Sequence, residues 1–370
     1  MKLRTKGKAV NISKIFIGKV DKIEHNFISV VSNNEDDLVY LCKDSIRETT
    51  PHVYNVTNLN DYNLNDIISI SPNGGINILY RAESFHNTLL FTERCNSNCL
   101  MCSQPPKDKD DTETWYYIHS KTIPLIPKDC FELGISGGEP TIMGDNFFNL
   151  VELITTELPS TSIHVLTNGR NFAKVELAER LAQIGNNNMM LGIPLYSDYY
   201  QQHDYIVQAK NAFYQTILGL HNLNSYGVRL ELRIVLHKQS IGRLKKLSEY
   251  IYKNLPFVEH VAFMGLEYVG YTPYNIDKLW IDPYIYKDEL YEATNYLSKK
   301  GMRVSIYNTP LCILNRESWK HARKSISDWK NEYLNECDNC QVKNDCAGFF
   351  RWNLKMNSQY IQPILENTIQ

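Results

Sequence analysis

From Asn87 onward the sequence alternates short β-branched or aromatic runs with longer stretches of helical periodicity, and no other feature constrains the fold as much. Apolar runs at 89–92, 131–136, 163–167, 189–195, 228–236 and 258–264 predict six strands. Between them, Phe147, Leu150, Val151, Ile154 and Leu158 mark the buried stripe of a helix, with Asp145 or Asn146 available as its N-cap. Val175, Ala178 and Ala182 mark a second helix that stops at Gly185, and Phe213, Ile217 and Leu220 mark a third. A first crossover helix belongs between Asp108 and Pro127, broken or kinked by Pro124. Strands joined by helical crossovers run parallel and the crossovers are right-handed, so the sheet curls toward a barrel. Function in such folds gathers on the loops at the strands' C-terminal ends.

The flanks read differently. Ile15-Phe16-Ile17, 27–31 and 38–41 are strand-like runs too short for helices, and Asn33-Asn34-Glu35-Asp36-Asp37 is a turn. Asn73-Gly74-Gly75 signals a hairpin before a strand at 76–80. The expected organisation is a small β-rich domain over 1–85, an α/β core over 86–306 and a cysteine-rich segment over 307–370. That last segment is polar and aperiodic, a composition that often needs a metal to fold.

Charge and hydropathy narrow the function. Thirty-nine basic against forty-one acidic residues leave a net charge of −2, so a general nucleic-acid binder is not expected. No apolar run approaches the roughly 18 residues that span a bilayer, and the basic start, Met1 to Lys6, is not followed by a long apolar segment. The expectation is a cytoplasmic protein.

Three of the nine cysteines lie at 95, 99 and 102, three more at 337, 340 and 346, while Cys42, Cys130 and Cys312 stand apart. In a reducing compartment, clustered cysteines point to metal ligation before disulfides. Cys95-x3-Cys99-x2-Cys102 directly follows the first strand of the core, on an active-site loop. Three thiolates at this spacing can hold three corners of an iron–sulfur cubane and leave the fourth iron open to a ligand. Zinc is the alternative, but it wants a fourth ligand, and neither His86 nor His119 has zinc-finger spacing. The solitary Cys42 and Cys130 read as core residues.

Gly137-Gly138-Glu139-Pro140 follows the second strand on the same face. Its glycines let backbone approach a ligand, Glu139 can receive an ammonium group, and Pro140 stiffens the turn.

A cysteine triplet after strand one with Gly-Gly-Glu-Pro after strand two resembles the radical S-adenosylmethionine (SAM) superfamily. The resemblance implies a partial (β/α)6 barrel and a [4Fe–4S] cluster on Cys95, Cys99 and Cys102 whose open iron chelates SAM. It further implies that Gly137, Gly138, Glu139 and Pro140 border the SAM amino group, that Met101 packs near the adenine, and that Asn168, Ser197 and Arg233 are further SAM contacts. For Asn168 the alternative is a simple turn with Gly169, and for Arg233 a structural carboxylate pair. Cys337-x2-Cys340-x5-Cys346 is similar to the core of the SPASM-type auxiliary-cluster domain, though no cysteine follows Cys346. Cys312 can supply a fourth thiolate to a second [4Fe–4S] cluster, and a four-cysteine zinc site has the same ligand set.

The run from Thr92 to Pro106, Tyr307-Asn308-Thr309-Pro310-Leu311-Cys312, Ala322-Arg323-Lys324-Ser325-Ile326-Ser327-Asp328-Trp329 and Cys346-Ala347-Gly348-Phe349-Phe350 resemble the C-type maturase of the His-Xaa-Ser peptide system. This resemblance implies a ribosomally made precursor peptide as substrate, a partner radical SAM maturase, and a reducing flavodoxin- or ferredoxin-like donor. A radical SAM enzyme acting on a small molecule or tRNA, and a non-catalytic iron–sulfur or zinc scaffold, are the competing readings.

Overall fold

The computed structural model describes residues 3–33, 37–185, 188–324 and 331–365. Most of the turn expected at 33–37, and the Ser325–Trp329 part of the third matching run, lie outside them. Two compact units emerge: Met1–Thr92 with Asp110–Ser136 and Met143–Ile163, and Glu93–Lys109 with Gly137–Ile142 and His164–Gln370.

In the first unit, strands β1 (Arg4–Lys6), β2 (Lys8–Val10), β3 (Phe16–Ile23), β4 (Phe27–Val31), β5 (Leu38–Cys42), β6 (His52–Tyr54), β7 (Ile67–Ile70) and β8 (Gly75–Tyr80) form one sheet. Their order is β1-β8-β7-β3-β4-β5-β6-β2. Only Gly7 separates β1 from β2, so the two edges of the sheet belong to one run of chain and the sheet closes on itself. Closure removes the open edges that would otherwise template aggregation. Gly7 is required there, because its amide donates to the Gly74 carbonyl at 2.9 Å and a Cβ would lie 2.4 Å from the Tyr54 carbonyl oxygen. The expected hairpin turn is present, with Gly74 at φ +80°. Val20, Ile28, Val30, Leu41, Val53, Ile68 and Ile70 fill the interior. At the barrel's exit Asp66, fully buried, accepts from the Arg81 guanidinium at 2.7 Å and from the amides of Asn63 and Ala82.

The same unit holds the parallel pair β9 (Asn87–Leu90) and β10 (Glu132–Ser136), with Leu133 opposite Asn87 and Ser136 opposite Leu90. Between them runs α1 (Thr112–Thr122), which tightens into a 3-10 turn at Ile123–Leu125 where Pro124 falls. After β10 comes α2 (Asp145–Glu157). Its N-cap is Gly144 at φ +60°, without a side-chain cap, rather than Asp145 or Asn146. Its apolar stripe, Phe147, Leu150, Val151 and Ile154, is fully buried as expected.

β11 (Ser162–Leu166) begins in the first unit and ends in the second. The second unit continues with α3 (Val175–Gln183), β12 (Met189–Pro194), α4 (Tyr200–Val207), α5 (Ala212–Ser225), β13 (Arg229–Leu236), α6 (Lys238–Ile241), α7 (Leu244–Asn254), β14 (His260–Gly265), α8 (Ile276–Leu279), α9 (Lys287–Lys299) and β15 (Arg303–Tyr307). Within the second unit β12, β13, β14 and β15 pair in chain order, each parallel to the next. This is the parallel α/β architecture anticipated from the alternation. All six expected strands are present, and β15 adds a seventh, parallel to β14. On β13, Leu230, Leu232, Ile234 and Leu236 are buried on one face while Arg229, Glu231, Arg233 and Val235 take the other. Beyond β15 the described residues form short 3-10 turns, among them Leu311–Ile313, Asn335–Cys337 and Arg351–Lys355, and an isolated antiparallel bridge between Glu332 and Phe349. Cys42 and Cys130 are buried core residues, as expected. No helix among the described residues is long and apolar enough to cross a membrane.

Candidate active site

The three cysteines lie on the loop Glu93–Lys109, closed at its ends by an ion pair between Lys107 and Glu93 at 2.6 Å and by the Lys107 amide on the Glu93 carbonyl. The loop is hung on the end of α4: the amides of Asn98 and Leu100 donate to the carbonyls of Val207 and Ile206 at 3.0 and 2.9 Å. Leu100 and Met101 are buried against Tyr196, Ile206, Val207, Ala212 and Leu279. The Cys102 amide turns back onto the Cys99 carbonyl, and the Cys102 carbonyl accepts from the Tyr271 amide at 2.9 Å. Gly270 (φ +63°) permits this approach, since a Cβ there would be 2.2 Å from the Cys102 oxygen.

The Gly-Gly-Glu-Pro turn lies against the same loop. A Cβ on Gly138 would sit 2.0 Å from the Arg94 carbonyl oxygen, which accepts from the Glu139 amide at 2.7 Å. Gly137 is half-buried, and the buried Pro140 opens a 3-10 turn, Pro140–Met143. Glu139 is fully buried. Its Oε1 accepts from the Thr141 hydroxyl (2.6 Å), the Thr141 amide (3.2 Å) and the Thr167 hydroxyl (2.7 Å), and Oε2 accepts from the Asn168 amide (2.6 Å). These four donors belong to the protein. Glu139 thus ties the turn after β10 to the turn after β11, where sequence reasoning anticipated a receiver of ammonium.

Asn168 then carries the connection to the cysteines, its Nδ2 donating to Asn96 Oδ1 at 2.5 Å. Arg170, three residues past Thr167, donates Nη1 to the Asn96 carbonyl and to the Ser97 hydroxyl at 3.0 Å, while its Nε meets Gln215 Oε1 at 2.7 Å. The two residues that follow Cys95 are thereby gripped by a guanidinium from another strand's loop. Nothing in local spacing announces Arg170; its only signal is its place after the Asn168-Gly169 turn.

Burial pushes the Cys99 thiol well above its ordinary range, and the neighbouring Cys102 and Cys95 push it further. Burial and then the Glu139 charge raise Cys95 to about 11, and burial raises Cys102. Three half-buried thiols that resist ionisation singly and repel one another as thiolates suit a cationic centre that takes the place of their protons. Among the described residues no three His, Cys, Asp or Glu side chains converge closely enough to share one ion. His86 and His119 have other partners: His86 faces Glu132 at 3.7 Å, and His119 binds the Leu90 carbonyl at 2.6 Å between Phe91 and Trp115.

The remaining anticipated contacts divide. Ser197 is fully buried at the end of β12; its hydroxyl donates to Gln202 Oε1 at 2.8 Å and accepts from the Tyr199 amide. Arg233 pairs with Glu231 at 2.9 Å, the structural arrangement anticipated as its alternative. Glu231 also accepts from His260 Nδ1 at 2.7 Å. Burial would raise its carboxyl, but the His164 and His260 contacts and the Arg233 charge outweigh that and hold it well below the carboxylate range. Tyr196, unflagged by the sequence, has a phenol kept protonated first by burial and then by the Cys99 and Cys102 thiols, with Arg233 opposing. It packs in one cluster with Leu100, Met101 and Cys99 of the cysteine loop.

A second set forms farther along. Cys312 lies in the turn Leu311–Ile313, Cys337 ends the turn Asn335–Cys337, and the Cys340 amide donates to the Cys337 carbonyl at 3.2 Å. Cys346 accepts the amides of Leu311 and Gly348, each at 3.4 Å. Burial, with Cys346 and Cys337 adding to it, raises Cys312 to about 11, and burial with Cys337 and Cys340 raises Cys346. The four thiols thus share one neighbourhood.

The family model for the radical SAM superfamily matches residues 89–251. A curated relative, Fe-coproporphyrin III synthase of Methanosarcina barkeri, is 24% identical over 184 residues, 48% of this chain and 43% of that protein. A solved structure of native anSMEcpe with bound AdoMet and the Kp18Cys peptide aligns with a TM-score of 0.51 at 15% identity, covering 76% of this chain and 93% of that one. SuiB of Streptococcus suis bound to S-adenosylmethionine aligns with a TM-score of 0.48 at 17% identity, over 60% of this chain and 50% of that one. The chain spans half or less of the length of SuiB and of the curated relative. Residues 89–251, the stretch that matches the radical SAM superfamily model, carry the cysteine loop, the Gly-Gly-Glu-Pro turn and the Asn168–Arg170 anchor.

Proposed function

We propose that this protein is a radical SAM peptide maturase acting on a ribosomally made precursor of the His-Xaa-Ser type. The observation that carries the catalytic part is the cysteine loop itself: three half-buried cysteines on one loop, fixed from outside by Arg170 and Asn168. Cys95, Cys99 and Cys102 would hold a [4Fe–4S] cluster, which would supply the electron for reductive cleavage of SAM to methionine and a 5′-deoxyadenosyl radical able to take a hydrogen atom from substrate.

The chain's own residues do the rest. Arg170, Asn168 and the α4 end hold the loop in one geometry, and Leu100 and Met101 seal its underside against Tyr196 and Ile206. Glu139 locks the neighbouring turn so that Gly138 presents bare backbone beside Arg94. Tyr196 keeps its proton beside the thiols and offers a neutral donor there. Cys312, Cys337, Cys340 and Cys346 are proposed to hold an auxiliary [4Fe–4S] cluster, with four-cysteine zinc as the alternative. A partner maturase and a flavodoxin- or ferredoxin-like reductant complete the proposed system.

The peptide substrate is supported by the likeness to a fold solved with AdoMet and a peptide. The likeness to Fe-coproporphyrin III synthase favours a second reading, a tetrapyrrole-like small molecule. Incubating the reconstituted protein with SAM and dithionite, once with a synthetic His-Xaa-Ser precursor and once with a coproporphyrin, separates them by mass spectrometry. A SAM-dependent mass change in the peptide alone supports the maturase, and one in the porphyrin alone overturns it.

A further inference from the structure

The segment 358–365 crosses the second cysteine set. It is first anchored away from the thiols: the Ser358 hydroxyl and the Gln359 amide donate to the two Asp282 carboxylate oxygens at 2.6 and 3.1 Å. Tyr360 stacks on Tyr284 with ring centroids 4.2 Å apart and 20° between planes, and Lys287 Nζ lies 3.7 Å from the Tyr284 ring centre. From this anchor the chain runs onto the cysteines. The Ile364 amide donates to Cys340 Sγ at 3.4 Å, and the Gln362 backbone lies beside Cys312, where it opposes the rise that burial gives that thiol. Pro363 between them has no N–H, so Gln362 and Ile364 carry the only amides of residues 362–364. The Gln341 amide closes the contact by donating to the Ile364 carbonyl at 3.1 Å. Among the described residues, Cys346 takes its two amides from Leu311 and Gly348, whereas Cys340 takes its amide from this segment and Cys312 has the Gln362 backbone beside it.

We infer that residues 358–365 are a strap built into the four-cysteine centre, with the Gln362 and Ile364 amides acting as donors to two of its metal-bound thiolates. The inference rests on the reading that Cys312, Cys337, Cys340 and Cys346 hold a metal centre. The physical basis is that an N–H···S bond stabilises a thiolate more than a thiol, so it strengthens metal retention. On an iron–sulfur cluster it also favours the reduced, more negative state and raises the potential. Asp282 sets the strap's register, so the strap is a positioning element and supplies no ligand of its own.

The test uses the full chain carrying Cys95→Ala, Cys99→Ala and Cys102→Ala, so that only the second centre is loaded. In that background, Gln362→Pro and Ile364→Pro, singly and together, delete the donors, while Gln362→Ala and Ile364→Ala change the side chains and keep them. Asp282→Ala frees the strap at its anchor. The readout is the rate of metal release to a chelator and, for an iron-loaded centre, its reduction potential. The strap predicts release about 10- to 100-fold faster in the double proline variant, faster release in Asp282→Ala, a more negative potential, and alanine controls that match the parent. Proline variants indistinguishable from the alanine controls overturn the strap and leave the metal centre standing. A parent that takes up no metal lost on Cys312→Ser overturns both.

Discussion

The Asn168 amide donates to Glu139 Oε2 at 2.6 Å, joining the turn after β10 to the turn after β11 beneath the cysteine loop. Glu139 is fully buried, and this contact and its three companions take up both of its carboxylate oxygens. Glu139→Ala leaves those donors without an acceptor, at a cost of about 3 kcal/mol in the stability of the metal-free protein. Glu139→Gln turns an amide N–H₂ toward donors and costs a comparable amount. Urea titration of both variants checks this; a midpoint within error of the parent contradicts it.

Gly138→Ala must displace backbone, because the added carbon would meet the Arg94 carbonyl oxygen at 2.0 Å. A loop shift of that order predicts a drop in SAM cleavage on the order of a hundredfold. Gly242→Ala is the control: a Cβ there meets nothing within 4 Å, and its backbone conformation is open to any residue. The pair is compared by 5′-deoxyadenosine formation at equal iron content.

Arg170→Lys keeps the charge and loses the fork that spans Asn96, Ser97 and Gln215. Iron retention at the first cysteine set should fall about 10- to 100-fold, as for other groups that orient metal ligands. Iron released to a chelator, followed by absorbance, reads this directly, and Lys retaining iron as Arg does would remove Arg170 from the account.

Acid should destabilise the metal-free protein well above the carboxylate range. Burial lowers His119 and His203 to about 4 and His237 to about 3 from the usual 6.5. A proton on His119 Nδ1 or His237 Nε2 would face no acceptor among the described residues. The unfolded chain binds these protons and the native one does not, so stability is full above pH 6.5 and is lost as pH falls toward 4. Each ring contributes about 3 kcal/mol over that window. Melting temperature against pH from 7 to 5 measures the slope, and His119→Gln should flatten it by about a third.

Arg81→Ala strands the fully buried Asp66 carboxylate in the N-terminal barrel. Removing one partner of such a pair costs about 3–5 kcal/mol. Calorimetry of the variant should show the loss; an unshifted transition would mean Asp66 takes up a proton without penalty.

What was legible in the sequence follows the range of the interactions involved. Six core strands show as apolar runs because their helix-facing side is unbroken, as with Leu230, Leu232, Ile234 and Leu236. β15 escaped notice because five residues, two of them Arg303 and Ser305, carry little apolar signal, and pairing with β14 decides its state. β1 and β2 are three residues each and begin with Arg4 and Lys8; they are strands because β8 and β6 pair with them. The cysteine triplet was legible because its spacing is local. Arg170 was not, because its partners Asn96 and Ser97 lie 74 and 73 positions away. Glu139 was found by its motif, but only the fold shows that Thr141, Thr167 and Asn168 take up its oxygens.

The central claim is radical SAM chemistry at Cys95, Cys99 and Cys102. Its most direct test is an anaerobic assay of the reconstituted chain with SAM, dithionite and the His-Xaa-Ser precursor, reading 5′-deoxyadenosine by mass spectrometry against the Cys95→Ala/Cys99→Ala/Cys102→Ala variant. The account predicts 5′-deoxyadenosine from the parent and none above background from the variant. Equal background levels from a parent shown to hold its cluster would contradict it.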